Sequence, residues 1–198
     1  MATHQVRSSE RILQKALELF ASRGYDATSV REICEAAGIA KPTLYHFYGS
    51  KEGVYRSLVE GAFEDFRLQV SRELKGPGPA PERLKRVARR YFEFARSHRE
   101  LMRFIVSLVH NPSSGAPSAD LPRLYEGIVA LVAEAVEQGV ARGELRPGAL
   151  EPRMLVLMGA LGEALCGNLI AGRPELTPAL ADSLVDTILE GMTPNRTP

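Results

Sequence analysis

The stretch AAGIAKPTLYHFYGSKE, residues 36–52, has the pattern of a tight turn, a short helix and the beginning of a longer helix. Gly38 follows a helical pattern of apolar residues, and glycine readily takes the left-handed conformation that ends a helix. Pro42 suits the first turn of a new helix because it lacks the N–H that would be unsatisfied there. The stretch therefore predicts two helices joined by a turn, with a further helix beginning near Ser50.

The short helix after Pro42 has two different faces. Leu44, Phe47 and Tyr48 recur at i, i+3 and i+4 and predict the face that packs against the domain. The other face carries side chains that can donate to phosphates or meet base edges in a major groove. These are Lys41, Pro42, Thr43, Tyr45 and His46. The pattern favours a helix-turn-helix that binds DNA, and the alternative is an inert surface turn.

The run GIAKPTLYHFYGSKE, residues 38–52, resembles the signature of the TetR family of bacterial transcriptional repressors. Residues 11–33 resemble the family's first two helices, so the resemblance covers about the first third of the chain. The order Phe47-Tyr48 departs from the tyrosine-phenylalanine order that members commonly carry. The resemblance implies an all-α fold of about nine helices, with an N-terminal three-helix helix-turn-helix DNA-binding domain and a C-terminal helical ligand-binding and dimerisation domain.

Four further residues are candidates for contacts with DNA phosphates. Thr28 and Ser29 lie at the predicted beginning of the second helix, where free backbone N–H groups suit a phosphate. Lys51 lies beside the beginning of the fourth helix, and Tyr48 ends the third. Two of these positions have a structural alternative, because Ser29 with Glu32 also fits a capping box and Lys51 also fits a solvated lysine.

The sequence GPGPAP, residues 76–81, is the clearest boundary in the chain. Helical periodicity continues on both sides of it, and strand signals are few. We therefore predict a DNA-binding domain over residues 1–50, a connecting helix over 51–75 and an effector-binding and dimerisation domain over 76–198.

The composition bounds the class of protein. The 198 residues are 44% hydrophobic without a long uninterrupted apolar run, which predicts a soluble globular chain with no membrane span. The N-terminus lacks the hydrophobic segment of a secretory signal, so we predict a cytoplasmic location. A net charge of +1 means that any attraction to DNA must come from a local patch.

The two cysteines and four histidines do not indicate a metal site. Cys34 and Cys166 lie in apolar helical patterns without a Cys-x-x-Cys spacing, which predicts buried free thiols, with a redox sensor as the alternative. The histidines form no His-x-x-x-His pair. We predict no metal and no cofactor. We also predict no enzymatic activity, because no catalytic arrangement is recognisable by spacing.

The segment Met154–Ile170 is apolar on nearly every side of its predicted helix, with Glu163 as its one charge. Such a helix must be buried on nearly every side, so we expect part of its surface to meet a second subunit. The TetR resemblance implies a homodimer through the last two helices. Two reading helices related by a two-fold axis contact half-sites about 34–36 Å apart, which predicts a near-palindromic operator. The alternative is the core helix of a monomer.

Apolar side chains between the fourth and eighth predicted helices are candidates for an effector pocket. They are Phe63, Phe66, Tyr91, Phe94, Met102, Phe104, Ile105, Tyr125 and Met158. The alternative for such residues at helical spacing is an ordinary core. Glu163 is a candidate to orient the ligand or to lie at the dimer interface. Arg83, Arg86 and Arg90 share a face that fits a solvated stripe or the phosphates of an acyl-CoA.

These patterns predict a ligand-responsive transcriptional regulator that binds double-stranded operator DNA. We expect a homodimeric repressor that is released when a small, mostly apolar effector binds its C-terminal domain. The alternative is a helical small-molecule-binding protein or enzyme with a vestigial DNA reader, and turnover of a bound metabolite would distinguish it.

Overall fold

The computed structural model describes the backbone of residues 2–110, 117 and 121–190, and the side chains of these residues from position 8 onward except 109 and 110. These residues form nine helices and no strand, which confirms the predicted all-α fold. The helices are α1 (Ala2–Arg23), α2 (Val30–Ala37), α3 (Lys41–Tyr48), α4 (Lys51–Lys75), α5 (Ala80–Ser97), α6 (Arg99–His110), α7 (Leu121–Ala141), α8 (Leu150–Ala171) and α9 (Pro178–Glu190).

The chain divides into two compact units. The first comprises Met1–Glu64 and His98–Leu121, and the second comprises Asp65–Ser97 and Pro122–Pro198. Helix α4 therefore begins in the first unit and ends in the second, and α6 groups with the first unit although it follows α5 in the sequence. The predicted domains 1–50, 51–75 and 76–198 were drawn from sequence patterns, whereas the two units are defined by contacts. The predicted bounds stay a prediction of how the functions divide along the chain.

The first unit is built around the buried stripe of α1. Ile12, Ala16 and Phe20 recur every four residues and are each at most 2% exposed. The ring of Phe20 stacks on Phe104 of α6 with centroids 5.9 Å apart. Tyr55 of α4 meets both rings edge-on, at 6.3 and 5.9 Å. This aromatic cluster is the reason that α6 belongs to the first unit.

The ends of α2 follow local sequence signals. Ser29 forms a capping box, in which the Glu32 N–H donates to Ser29 Oγ at 3.2 Å and the Ser29 N–H donates to Glu32 Oε2 at 2.8 Å. Gly38 ends the helix with φ 61°, in the left-handed region. The next N–H, that of Ile39, then donates back to the Cys34 carbonyl at 3.0 Å. The predicted cap and the predicted glycine end are both confirmed.

In the second unit, α5, α8 and α9 pack against one another. Two ion pairs join α5 to α9. Arg89 donates to both carboxylate oxygens of Asp182 at 2.5 and 2.8 Å, and Lys85 Nζ lies 2.8 Å from Asp186 Oδ1. These pairs fix the position of α9 along α5 in addition to the apolar contacts.

Three arginines of α5 hold the end of α4. Arg83 Nη1 donates to the Leu74 carbonyl at 3.2 Å, and Arg86 Nη2 donates to the Glu73 carbonyl at 3.1 Å. Arg90 Nη2 lies 3.0 Å from the Glu73 carboxylate. These partners favour a structural role for the arginine stripe over both of its predicted interpretations, a solvated face and a site for acyl-CoA phosphates.

Candidate nucleic-acid interface and effector site

Helix α3 turns one face into the first unit and the other to solvent. Leu44 is fully buried, whereas Tyr45 keeps 48% of its surface exposed. Lys41, Pro42 and His46 are also exposed, and Thr43 is half-buried. The five candidate DNA-contact residues of this helix therefore remain accessible, and their contacts with DNA stay a prediction.

Tyr48, a predicted phosphate contact, is used inside the first unit. Its hydroxyl donates to the carbonyl of Ser9 at 2.9 Å and so ties the end of α3 to α1. Burial raises the pKa of the Tyr48 phenol, so it remains a protonated donor at neutral pH. A hydroxyl that already donates its one proton is not available to a phosphate, which argues against the predicted contact.

Lys51 and Thr28 also have internal partners. Lys51 Nζ donates to the carbonyls of Tyr25 and Thr28, both at 3.0 Å, and lies 4.0 Å from the centroid of the Tyr25 ring. Thr28 is buried, and its hydroxyl donates to the Gly24 carbonyl at 2.9 Å. Both side chains stabilise the loop between α1 and α2, which argues against phosphate binding as their main role.

Ser29 is exposed at the beginning of α2, but its hydroxyl is engaged by Glu32. Ser29 Oγ donates to Glu32 Oε2 at 2.7 Å in addition to accepting from the Glu32 N–H. The hydrogen bonds that Ser29 Oγ and the Ser29 N–H donate to the Glu32 carboxylate are the main cause that lowers the pKa of this group, which stays charged. A carboxylate at this helix end occupies the position that a phosphate would take, so the capping role is favoured.

An open cleft of about 560 Å³ lies between the beginning of α1 and α3. Its lining residues are Ser8, Arg11, Gly38, Ile39, Pro42, Thr43, His46 and Phe47. Three of them are candidate DNA contacts, whereas Arg11 is a cation that the sequence reasoning missed. Its position is set by the packing of α1 against α3, and no motif in the sequence marks it.

Three of the effector-pocket candidates come together in the second unit. The ring centroid of Phe66 lies 5.7 Å from that of Tyr91 and 5.1 Å from that of Phe94. Burial raises the pKa of the Tyr91 phenol, with smaller contributions from Cys166 and Tyr125. This aromatic cluster, defined by Phe66, Tyr91 and Phe94, contains one hydroxyl, that of Tyr91.

The other pocket candidates are distributed differently. Phe63, Met102, Phe104 and Ile105 belong to the first unit, where Phe104 is part of the core with Phe20. The ordinary-core alternative therefore applies to Phe104. In the second unit Tyr125 and Glu163 are exposed and Met158 is half-buried. The roles of these residues in binding an effector stay a prediction.

Helix α8 has one buried side and one exposed apolar side. Leu157, Leu161 and Leu165 are buried, whereas Leu155, Val156 and Ile170 are largely exposed. Within the part of the chain that is described, α8 is the one helix long and apolar enough to cross a membrane by length and composition. The core helix of a soluble protein passes the same test, so composition alone does not distinguish a membrane-spanning helix from a core helix.

The thiols and acidic groups give no sign of a metal centre in the residues described. Cys34 is buried and Cys166 half-buried, and both are free. Burial raises the pKa of both thiols, which keeps them protonated. Between positions 8 and 190, no described cluster of His, Cys, Asp and Glu is suited to hold a metal ion.

The sequence pattern of the bacterial regulatory proteins of the tetR family matches residues 12–58, which contain α2, α3 and the adjoining parts of α1 and α4. The chain is also similar to the fatty acid metabolism regulator protein of Bacillus subtilis. The two are 22% identical over 183 residues, which cover 91% of this chain and 93% of that protein. Residues 12–58 therefore form a TetR-family DNA-binding domain.

Solved structures of bacterial regulators have the same fold. The fatty acid degradation regulator FadR of Bacillus halodurans superimposes with a TM-score of 0.79 at 20% identity, covering 93% of this chain and 95% of that one. FadR of Bacillus subtilis in complex with stearoyl-CoA superimposes with a TM-score of 0.76 at 20% identity, covering 92% and 98%. The chain thus carries the DNA-binding domain of bacterial transcriptional regulators, and the relatives named here are regulators by name.

Proposed function

We propose that this protein is a repressor that binds a near-palindromic operator as a homodimer and releases it when a small, mostly apolar effector binds. The exposed face of α3 is the observation that carries the proposal, because Lys41, Tyr45 and His46 are accessible while Leu44 anchors the helix. Such a helix fits a major groove, with its polar side chains at base edges and phosphates. Because its partner is genomic DNA, we place the protein in the cytoplasm.

The exposed side of α8 supports the homodimer. Beside Leu155 and Ile170, a Cβ added at Gly159 or Gly162 would meet no atom within 4 Å, so the surface is open to close approach by another helix. The opposite side of α8 is buried in the second unit, which favours a docked helix over one that spans a membrane. The same side of a second copy is an apolar partner for this surface. The TetR resemblance implies this arrangement of the last two helices.

The aromatic cluster of the second unit supports an apolar effector with few polar atoms. Two of the relatives are regulators of fatty acid metabolism or degradation by name, and the Bacillus subtilis FadR structure holds stearoyl-CoA. We infer that fatty acyl compounds are the first class to test here. An effector releases DNA only by its difference in affinity for the DNA-competent and incompetent states.

The proposal is tested by a salt-titrated gel shift on DNA from upstream of the protein's own gene. We expect specific binding that falls steeply with salt, because phosphate contacts release counterions. A long-chain acyl-CoA should release the complex, whereas free coenzyme A at the same concentration should not. Binding without sequence preference, or chemical turnover of the acyl-CoA, would favour the small-molecule carrier or enzyme with a vestigial reader.

A matched pair of variants ties this result to α3. Tyr45→Ala removes an exposed ring from the reading face and should weaken operator binding at least about tenfold, if the ring contacts a base or phosphate. Arg31→Ala removes an exposed side chain of α2 that is paired with Glu35 at 3.6 Å, and should change binding little. Equal effects of the two substitutions would remove the support that α3 gives to the proposal.

A further inference from the structure

The cleft between α1 and α3 has one basic wall and one wall made by the reading helix. Arg11 lies on the α1 side, and Pro42, Thr43 and His46 lie on the α3 side. Its volume of about 560 Å³ is within the range of roughly 300–1,000 Å³ that is typical of ligand-binding clefts. The cleft is open to solvent along the same surface that α3 presents, so whatever α3 approaches also approaches Arg11.

The guanidinium of Arg11 is available to bind an anion. It is exposed and has no hydrogen-bond or ion-pair partner among the side chains that the structure describes. Other arginines of the first unit are paired with glutamates. These pairs are Arg23–Glu32 at 3.1 Å, Arg31–Glu35 at 3.6 Å and Arg56–Glu52 at 2.8 Å. Among the described side chains, the positive charge of Arg11 is therefore unpaired where α1 meets α3, whereas glutamates partly neutralise the other three arginines.

The geometry of DNA determines which anion reaches this position. A helix with its side chains is about 10–12 Å wide and fills a major groove about 12 Å wide. An element packed beside the reading helix consequently meets the sugar-phosphate backbone at the edge of that groove. Arginine matches a phosphate well because its planar fork donates two parallel hydrogen bonds.

We propose that Arg11 binds a backbone phosphate of the operator in the cleft beside α3. The inference rests on the proposed function in one respect, that α3 enters the major groove. The contact supplies affinity and fixes the position of α1 on the backbone, and it carries no sequence preference because every nucleotide has the same phosphate. Arg11 thereby takes the role that sequence patterns predicted for Thr28, Tyr48 and Lys51.

The test compares Arg11→Ala with wild-type protein by fluorescence anisotropy over a series of salt concentrations. One probe is a duplex selected by wild-type protein from a random pool, and the other is an unrelated duplex of equal length. We expect Arg11→Ala to weaken both complexes by a similar factor of about five to ten. The slope of log affinity against log salt should fall by about one per protomer. Arg11→Lys should retain part of the affinity because it keeps the charge but loses the fork.

Arg31→Ala is the matched control, because it also removes an exposed arginine from the first unit but one that already has a carboxylate partner. It should leave the affinity within about twofold of wild type and the salt slope unchanged. An unchanged slope for Arg11→Ala would overturn the proposal, and so would loss of preference for the selected duplex, since that would mean base readout. If wild-type protein selects no sequence, the proposed repressor function fails, and the slope on the unrelated duplex still decides the role of Arg11.

Discussion

Replacing Leu155 and Ile170 together by glutamate should dissociate the proposed dimer. The two side chains expose 68% and 84% of their surface in the single chain. Burying fractions of this size contributes about 1–2 kcal/mol for each side chain, and two-fold symmetry brings the sum to roughly 4–8 kcal/mol per dimer. A loss of about 4 kcal/mol weakens association several hundredfold. Burying an unpaired glutamate costs more, so this figure is a lower bound for a fully buried interface.

Sedimentation velocity over a wide range of protein concentrations measures the effect. Wild-type protein should sediment as a dimer and the double variant as a monomer with the same helical content by circular dichroism, because both side chains are exposed in the single chain. Leu68→Glu is the control, since it places the same charge at an exposed leucine of α4 in the same unit. The monomeric variant should also lose affinity for the operator, because the reading helices of two chains are no longer joined in one dimer.

Two results would refute this use of α8. One is a wild-type protein that remains monomeric at every concentration, which would leave the apolar side without the partner proposed. The other is a double variant that associates as tightly as wild type, which would place the dimer interface elsewhere. If Leu68→Glu dissociated the dimer to the same extent, the added charge by itself would explain the effect, and the result would not locate the interface at α8.

Four further substitutions test particular side chains and positions. Lys51→Met removes two hydrogen bonds to backbone carbonyls, and it should lower stability to urea by about 1–3 kcal/mol while leaving the salt dependence of operator binding unchanged. Gly139→Ala places a Cβ 2.6 Å from that of Ala80 and should destabilise the chain by about 1–3 kcal/mol in thermal unfolding. Gly127→Ala on the same helix meets no atom within 4 Å and should stabilise it by up to about 1 kcal/mol. Burial raises the pKa of the Tyr91 phenol, so wild-type stability is full below the unfolded value near pH 10 and falls above it. Tyr91→Phe should therefore lose less stability to urea than wild type between about pH 9 and pH 11.5.

Signals that act within a few residues were predictable from the sequence. The capping box at Ser29 and the left-handed Gly38 each depend on neighbours no more than about four residues away. The burial of Leu44 and the exposure of Tyr45 follow from the helical period of 3.6 residues. These signals determine where helices begin and end and which face is buried, so the all-α fold and the presented face of α3 followed from them.

Partners distant in the sequence were not predictable in the same way. Lys51 finds carbonyls 26 and 23 residues away, and the Tyr48 hydroxyl finds one 39 residues away. No period or motif specifies such pairs, because they depend on how the helices of the first unit pack. Phosphate contact and internal anchoring require the same donor chemistry, so the sequence did not distinguish between them. Arg11 was missed for the same reason, since its place beside α3 is a product of packing.

Side chains hold both ends of helix α4 by hydrogen bonds, so we expect this helix to take part in the proposed effector response. At its beginning, Lys51 binds carbonyls of the loop between α1 and α2 in the first unit. At its end, Arg83 and Arg86 bind the carbonyls of Leu74 and Glu73 in the second. A continuous helix of 25 residues keeps its length because each turn is held by backbone hydrogen bonds. We therefore expect a ligand that repacks α5 to act on the end of α4 through these arginines.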